Sequence, residues 1–412
     1  MEDGSLSRDA RLILAAKTTR TLGYGLLSVA LGSYLEETGV TPRVAGFILT
    51  AALLGSALLT LLLASRADRF GRKRTLELST GLMVLSGLVF AVTPGPWGLL
   101  VAALTGTVSA TSGEVGPFET VEQAMLPQLT TDRHRNRLFG WYHTLGAIAV
   151  AVGSLAAALP ALVQSGLDAS SLAGYRIVFV LYAVLAVMSL VFISRLSTGV
   201  EPISSSEARP ARAFRLHKSR SIVRRLTALF AVDALGGGFV IQSFLVYWFS
   251  LRFDLTPAEL GPLFFGVNVL KAVSYPLAVW LANRIGLINT MVFTHLPSNV
   301  LLIGIALAPS LRLAVVLLLA RHLLAQMDVP ARSSYVVAVV EPDERTAAAG
   351  ITSVVRPLAQ SVSPLIAGLA LQWAGFGLPF FLAGGLKIIY DLSLYASFRE
   401  LRAPEERSRP EP

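Results

Sequence analysis

Six ionisable side chains, Arg20, Asp233, Lys271, Arg321, Arg356 and Lys387, sit deep inside long apolar stretches of this 412-residue chain. At about 1.5 Å per helical residue, a position some ten residues into a span of about 20 lies near the middle of a hydrocarbon core about 30 Å thick. An ionisable group at that depth is costly and faces a cavity or a partner. Five of the six are cations, so the chemistry they offer is recognition of an anionic or carboxylate-bearing small molecule. In "LAAKTTRTLGYGLLSVALGSY", Arg20 and Tyr24 fall within about 40° of one another on a helix, a cation and a phenol on one face. The pair reads equally as a substrate contact and as a structural partnership of Arg20 with an acid on the fourth span.

The acids are fewer. On one continuous helix, Glu114, Glu119 and Glu122 of "SGEVGPFETVEQAMLP" would cover roughly 140° of surface. Glu119 and Glu122 approach the mouth, as solvated or ion-paired groups. Glu114 is deeper, where burial favours a carboxyl that takes up protons near neutrality, and it is read as the proton carrier. Asp233 is a second proton-coupling candidate, just before the Gly-Gly-Gly of the seventh span. In "ARHLLAQMDVPARSSY", Arg321, Asp328 and Arg332 return to within about 40° of one line. Asp328 and Arg332 form an i,i+4 ion pair, Pro330 weakens the helix between them, and Arg321 and Gln326 are left for substrate or for the fourth span. Lys387 and Asp391 read as a structural i,i+4 pair. Substrate-binding candidates are therefore Arg20, Tyr24, Lys271, Arg321, Gln326 and Arg356. His143 and His322 are lone histidines, read as packed groups. No HExxH, P-loop or dinucleotide motif occurs, so no metal, cofactor, ATP drive or enzymatic role is expected.

Long apolar elements must position these groups. The chain is 53% hydrophobic and 15% charged, where soluble domains carry roughly 25% charge. Twelve spans emerge at 11–35, 43–65, 76–94, 97–122, 138–161, 173–194, 224–250, 258–282, 290–308, 311–336, 347–371 and 377–398. Cations gather after even-numbered spans: Arg66 to Arg74, Arg133 to Arg137, Arg195 to Arg225, then Arg284 and Arg345. By the positive-inside rule both termini are cytoplasmic. The net charge of +9 is thus a topology signal, not a nucleic-acid footprint. The first residues lack a signal-peptide pattern, and the absence of Cys excludes a disulfide framework. "STGVEPISSSEARPARAFRLHKSR" reads as a linker between two halves, with a basic surface suited to anionic lipid headgroups. The domains are 1–195, a linker at 196–223, 224–400 and a tail at 401–412.

The halves repeat. At an offset of 215, "TPRVAG" from Thr41 returns as "TPAELG" from Thr256, and "ADRFGRKRT" from Ala67 as "ANRIGLINT" from Ala282. At an offset of 210, Arg135–Gly140 meets Arg345–Gly350. Paired repeats of this kind place a binding site between them near the midplane. Gly71 permits a tight turn between antiparallel helices. Asp68, an anion at a membrane boundary, is suited to a helix N-terminus.

"SRADRFGRKR" resembles the G-x-x-x-D-R-x-G-R-K/R signature of the major facilitator superfamily, with matches at Asp68, Arg69, Gly71, Arg72 and Lys73 and with Ser65 near the first Gly position. The resemblance covers essentially the whole chain. It implies an all-α fold of twelve transmembrane helices in two pseudo-symmetric six-helix bundles, and a bacterial-type transporter, monomeric, in the cell (inner) membrane. It also implies a conformational gate at Asp68, Arg69, Gly71 and Arg72, with Asp68 meeting the start of the eleventh span near Ala347. In the second copy Asn283 and Leu287 stand where Asp68 and Arg72 stand in the first, so the gate is expected to be asymmetric. The fifth span has Gly140, Gly146 and Gly153 but no Gly-Pro, and the fourth lacks R-x-x-Q-G-x-G, both departures from drug antiporters of the superfamily. The function expected is proton-coupled export of an organic or anionic compound. The alternatives are a lipid or lysolipid flippase and an uptake symporter for an anionic metabolite.

Overall fold

A backbone that crosses hydrocarbon has no water to bond and must satisfy its N–H and C=O groups internally. The computed structural model describes residues 6–64, 66–93, 95–130, 132–167, 170–201, 216–341 and 344–401, and among them no strand occurs. Ser65, residues 202–215 of the expected linker and residues 402–412 of the expected tail lie outside the described residues.

The helices are α1 (Arg8–Glu37), α2 (Pro42–Ala64), α3 (Ala67–Phe70), α4 (Arg72–Val92), α5 (Pro96–Leu104), α6 (Phe118–Met125), α7 (Asp132–Ala156), α8 (Leu159–Leu167) and α9 (Ser171–Ser194). They continue as α10 (Arg220–Gly238), α11 (Gln242–Phe253), α12 (Pro257–Ile285), α13 (Leu287–Leu307), α14 (Leu311–Leu324), α15 (Asp328–Ala338), α16 (Arg345–Ala374) and α17 (Leu378–Phe398). Ten helical stretches among the described residues are long and apolar enough to cross a membrane. The other two of the twelve expected spans are special cases. Span 11–35 lies within α1, which is 30 residues long but includes Arg8, Asp9, Arg11, Lys17 and Arg20. Span 97–122 is not one helix: it stops at Leu104 and restarts at Phe118. The intervening "TGTVSATSGEVGP" is rich in Gly, Ser and Thr and ends in Pro, and the side chains and backbone freedom of these residues compete with helix formation. Glu114 therefore does not share a helix with Glu119 and Glu122, which corrects the single-helix expectation.

The chain folds as two compact units, Met1–Ser204 with Ile241–Val269, and Ser205–Val240 with Leu270–Pro412. In the first, α1 packs on α7, α9 and α11, α4 packs on α5 and α9, and α2 on α5. The α1–α7 contact is close because a Cβ at Gly25 or at Gly153 would lie 2.0 Å from a carbonyl oxygen of the other helix, the small-residue solution to packing without a hydrophobic driving force. Buried Ile13, Leu76, Phe118, Met125 and Tyr142 form its core. In the second unit, α10 packs on α16 and α17, and α13 on α14, α15 and α17, around Phe230, Met291, Tyr335 and Tyr390. Outward faces stay apolar. On α9, Ile177, Val180, Val184, Val187 and Val191 are exposed at helical spacing, a surface that only lipid can solvate without cost.

Candidate functional site

In the first unit, Arg20 lies at the centre of a buried charge cluster, itself fully buried. Its guanidinium makes a two-pronged contact with Glu122, Nη1 to Oε1 at 2.9 Å and Nη2 to Oε2 at 2.8 Å. It also reaches Glu114, Nε to Oε2 at 3.3 Å and Nη2 to Oε1 at 3.2 Å. Lys17, one turn earlier on α1, donates to Glu114 Oε1 at 3.0 Å. The Tyr142 hydroxyl donates to Glu122 Oε2 at 2.8 Å. Aromatic faces complete the site: Lys17 Nζ is 3.6 Å from the Tyr142 ring centroid and Arg20 Cζ is 4.2 Å from that of Phe118. Charge-assisted, bidentate bonds of this kind are the strong ones. Arg20 thus takes the structural partnership with acids of the fourth span, and Glu122 takes the ion-paired role of its two expected ones, buried and on Arg20. Tyr24 is buried too, and its hydroxyl has no partner among the described residues.

The unwound stretch 105–117 carries Glu114 to this cluster, and its backbone is bonded elsewhere in the same unit. The Tyr182 hydroxyl donates to the Thr107 carbonyl at 2.8 Å, and Ser243 N to the Ala110 carbonyl at 2.9 Å. Gly116 N donates to Ser56 Oγ at 2.9 Å. Irregular backbone at membrane depth is tolerated where protein satisfies it in this way.

The second unit inverts the pattern: a carboxylate is central and cations surround it. Asp233 accepts from Lys387 Nζ at 2.6 Å, Arg356 Nη1 at 3.0 Å and Arg332 Nη1 at 3.4 Å. Asp328 bonds Arg332 as the i,i+4 spacing requires. Lys387 does not pair with Asp391, a correction to the local reading. Both lie on α17, but buried Asp233 on α10 takes the ammonium, and Asp391 bonds His295 Nδ1 at 2.8 Å and Asn299 Nδ2 at 2.9 Å. Nor do Arg321 and Asp328 share a helix, because α14 ends at Leu324 and α15 starts at Asp328. Arg321 is 7% exposed, its Nη1 lies 3.3 Å from His322 Nε2, and its Nε has no partner among the described residues. Gln326 lies in the break itself. Lys271, half-buried, is on α12.

The two breaks are related. At the 210-residue offset, positions 325–327 correspond to 115–117, within the first break. Interrupted helices at corresponding positions of two repeats are the best backbone pointer to a transport site.

At the signature loop, Gly71 has φ +104° and its repeat equivalent Gly286 φ +89°, so both turns use a conformation that favours glycine. Asp68 is largely exposed and accepts from Arg72 Nε at 2.8 Å; Arg69 is exposed. The acid at the N-terminus of α4 is Glu201, which accepts from Arg72 N at 2.8 Å and Lys73 N at 3.1 Å. Lys73 Nζ donates to the carbonyls of Ser194 and Leu196 at the end of α9, at 2.7 and 2.9 Å. In the second unit Glu344 accepts from the backbone N–H groups of His217, Lys218 and Ser219, just ahead of α10. Burial pushes its carboxyl up, but the Ser219 side chain and the backbone N–H groups of His217 and Ser219 outweigh it and hold the carboxyl down, from an ordinary 4.5 to about 2. Anions at helix N-termini are favoured by unsatisfied N–H groups and the helix dipole.

Lys17, Tyr142, His295, Glu201 and Glu344 are the participants the sequence reading missed. Lys17 carried a signal, a charge one turn from Arg20 in an apolar run. His295 carried a weaker one, midway along α13. Among the described residues no group of His, Asp or Glu could hold a metal ion.

The family profile described as Major Facilitator Superfamily matches residues 13–325 and, in a second match, 234–412. An uncharacterised membrane protein of Saccharomyces cerevisiae is 29% identical, covering 95% of this chain and 94% of that protein. Among solved structures, the human organic anion transporter TETRAN matches with a TM-score of 0.67 at 19% identity, covering 94% of this chain and 99% of that one. A bacterial homologue of the human lysosomal transporter Spinster, inward-facing and occupied, matches with a TM-score of 0.74 at 15% identity, covering 96% and 98%.

Proposed function

The chain belongs to the Major Facilitator Superfamily, and from that premise we propose that it carries a small organic anion across the cell membrane by alternating access, coupled to protons, with both termini cytoplasmic. The observation that carries this reading is Arg321, a buried guanidinium with an unbonded Nε in the second unit. Around Asp233 the cations Arg332, Arg356 and Lys387 meet the carboxylates Asp233 and Asp328, and Arg321 is a further, buried cation. A surplus of cations at this cluster calls for an anion, since an uncompensated buried charge is costly. The likeness to an organic anion transporter supports the same substrate class. Arg321, Lys271 and Gln326 are the proposed substrate contacts in this unit, with Arg356 shared with Asp233. Tyr24, whose hydroxyl has no partner among the described residues, is the contact proposed in the first, with Arg20 as its structural neighbour. Asp233 is the carboxylate through which coupling runs, and Asp68, Arg69, Gly71 and Arg72 form the gate.

Export is the direction expected from sequence. Uptake symport is the second reading, and the charge surplus favours it: a bound proton adds to the positive charge that holds the anion, so proton and anion bind together. The test is purified protein in proteoliposomes, offered labelled dicarboxylates, nucleosides and pentoses under pH gradients of either sign. Anions are expected to move, and Arg321→Gln is expected to slow them about tenfold, the worth of one charge-assisted hydrogen bond. Its unfolding temperature should be unchanged, because Arg321 bonds no acid among the described residues. Movement of the neutral solutes alone, or normal anion transport by the variant, overturns the reading.

A further inference from the structure

His295 stands between two buried carboxylates, and the proposed function gives it no role. It is 3% exposed, Asp391 is fully buried and Asp233 2% exposed. Its Nδ1 is 2.8 Å from Asp391 Oδ1, and its Nε2 is 3.7 Å from Asp233 Oδ1. Asn299 donates to the other oxygen of Asp391 at 2.9 Å. With Asp391 as acceptor, Nδ1 carries a hydrogen and the tautomer is set, which leaves Nε2 as the open position. That nitrogen faces the same oxygen, Asp233 Oδ1, to which Lys387 Nζ donates at 2.6 Å.

We propose that His295 Nε2 is a proton-binding site, and that its occupancy decides whether Lys387 pairs with Asp233 or with Asp391. The inference rests on the proton-coupled reading above. With the imidazole neutral, Lys387 holds Asp233, as observed, and Asp391 is bonded by the imidazole and an amide. A proton arriving from water adds to the Nε2 lone pair, giving an imidazolium whose new N–H addresses Asp233 Oδ1. Lys387 and the imidazolium then compete for one oxygen. Asp391, one turn from Lys387 on α17, is the acid at the spacing an ammonium reaches. Release reverses each step: the proton returns to water and Lys387 returns to Asp233. The exchange links protonation to the α10–α17 bond, so one proton changes which helices are tied together.

The other groups around the imidazole are consistent with this. From α17 come Lys387, Asp391 and Tyr390, whose ring meets the imidazole edge-on at 5.9 Å. Asp233 comes from α10. Arg356 of α16 and Arg332 of α15 stay on Asp233 Oδ2, and Asp328 stays on Arg332. On α14, Arg321 and His322 bond each other.

The chain has five histidines, so ring-nitrogen NMR on ¹⁵N-histidine-labelled full-length protein in detergent, with His295→Asn to assign the signals, reads the site without any substrate. His295 is expected to pass from one hydrogen-bonded neutral tautomer to imidazolium between pH 9 and 4.5. In Lys387→Met the imidazolium should appear at higher pH than in the parent, because the competing cation is gone. Asp391→Asn should change the Nδ1 shift and free the tautomer. An imidazole that keeps one protonation state across the range overturns the site, and an unmoved midpoint in Lys387→Met overturns the competition. Either failure leaves organic-anion transport standing. A titrating His295 in a protein that moves no anion would instead defeat the transport reading and leave the proton site.

Discussion

The two units solve the same electrostatic problem with opposite signs. Around residue 20 a guanidinium sits among carboxylates, with Glu114 and Glu122 as partners and Lys17 sharing one of them. Around residue 233 a carboxylate sits among cations, with Lys387, Arg356 and Arg332 as partners. Both central residues lie on the first helix of their repeat, at nearly corresponding positions. The first cluster is closed: its two cations and two carboxylates bond one another, and Tyr142 fills a further acceptor site. The second is open, because Arg321 remains beside it with an unbonded Nε. A closed cluster rigidifies, whereas an open one can accept a ligand. The difference suggests that duplication kept the positions and that divergence separated the roles, scaffold in one unit and exchange in the other.

Removing each centre tests that division. The largest effect is expected from Arg20→Met, which leaves two buried carboxylates with only Lys17. Breaking a buried ion pair costs about 3–5 kcal/mol, so the variant should give little folded protein in size-exclusion chromatography. Adding Glu122→Gln should restore part of the yield, and no rescue would show that the cluster is not closed. Asp233→Asn should be milder in thermal unfolding, because Arg332 keeps Asp328. Its mark should fall on coupling, with anion uptake losing its dependence on the pH gradient. If Asp233→Asn unfolds as readily as Arg20→Met, the contrast between scaffold and exchange fails.

The smallest effect concerns the loops. Glu344 is held down from 4.5 to about 2 by the Ser219 side chain and backbone N–H donors, so its stabilising effect is fully present above its unfolded value and is lost as pH falls through the folded one. Glu344→Gln should lower the unfolding temperature by about 2 °C at neutral pH, and the gap to the parent should close as pH falls toward 2. A constant gap would mean that the carboxylate charge is not what anchors α10. The matching contact in the first unit, Glu201 on α4, gives Glu201→Gln as the comparison.

Legibility followed range. The signature turn, the repeat, the apolar spans and the Asp328–Arg332 pair rest on neighbours within a turn or two, so periodicity and composition expose them. Lys387 shows where this stops. Its local partner Asp391 is four residues away, yet the bond goes to Asp233, 154 residues earlier, because a buried carboxylate needs a cation more than a half-satisfied i,i+4 pair needs closing. The break in the fourth span was written in "TGTVSATSGEVGP", but hydropathy averaged over a window hid it.

By itself, then, the sequence determined that this chain is a duplicated, helical membrane protein with charges placed at depth, because lipid penalises every polar group that is not there for a reason. It determined the turns as well, where φ leaves little choice beyond glycine. The tertiary structure alone decided which charge meets which. Pairing in a low-dielectric interior is set by the distances between helices far apart in the chain, and a shift of a few ångströms turns a free guanidinium into a satisfied one.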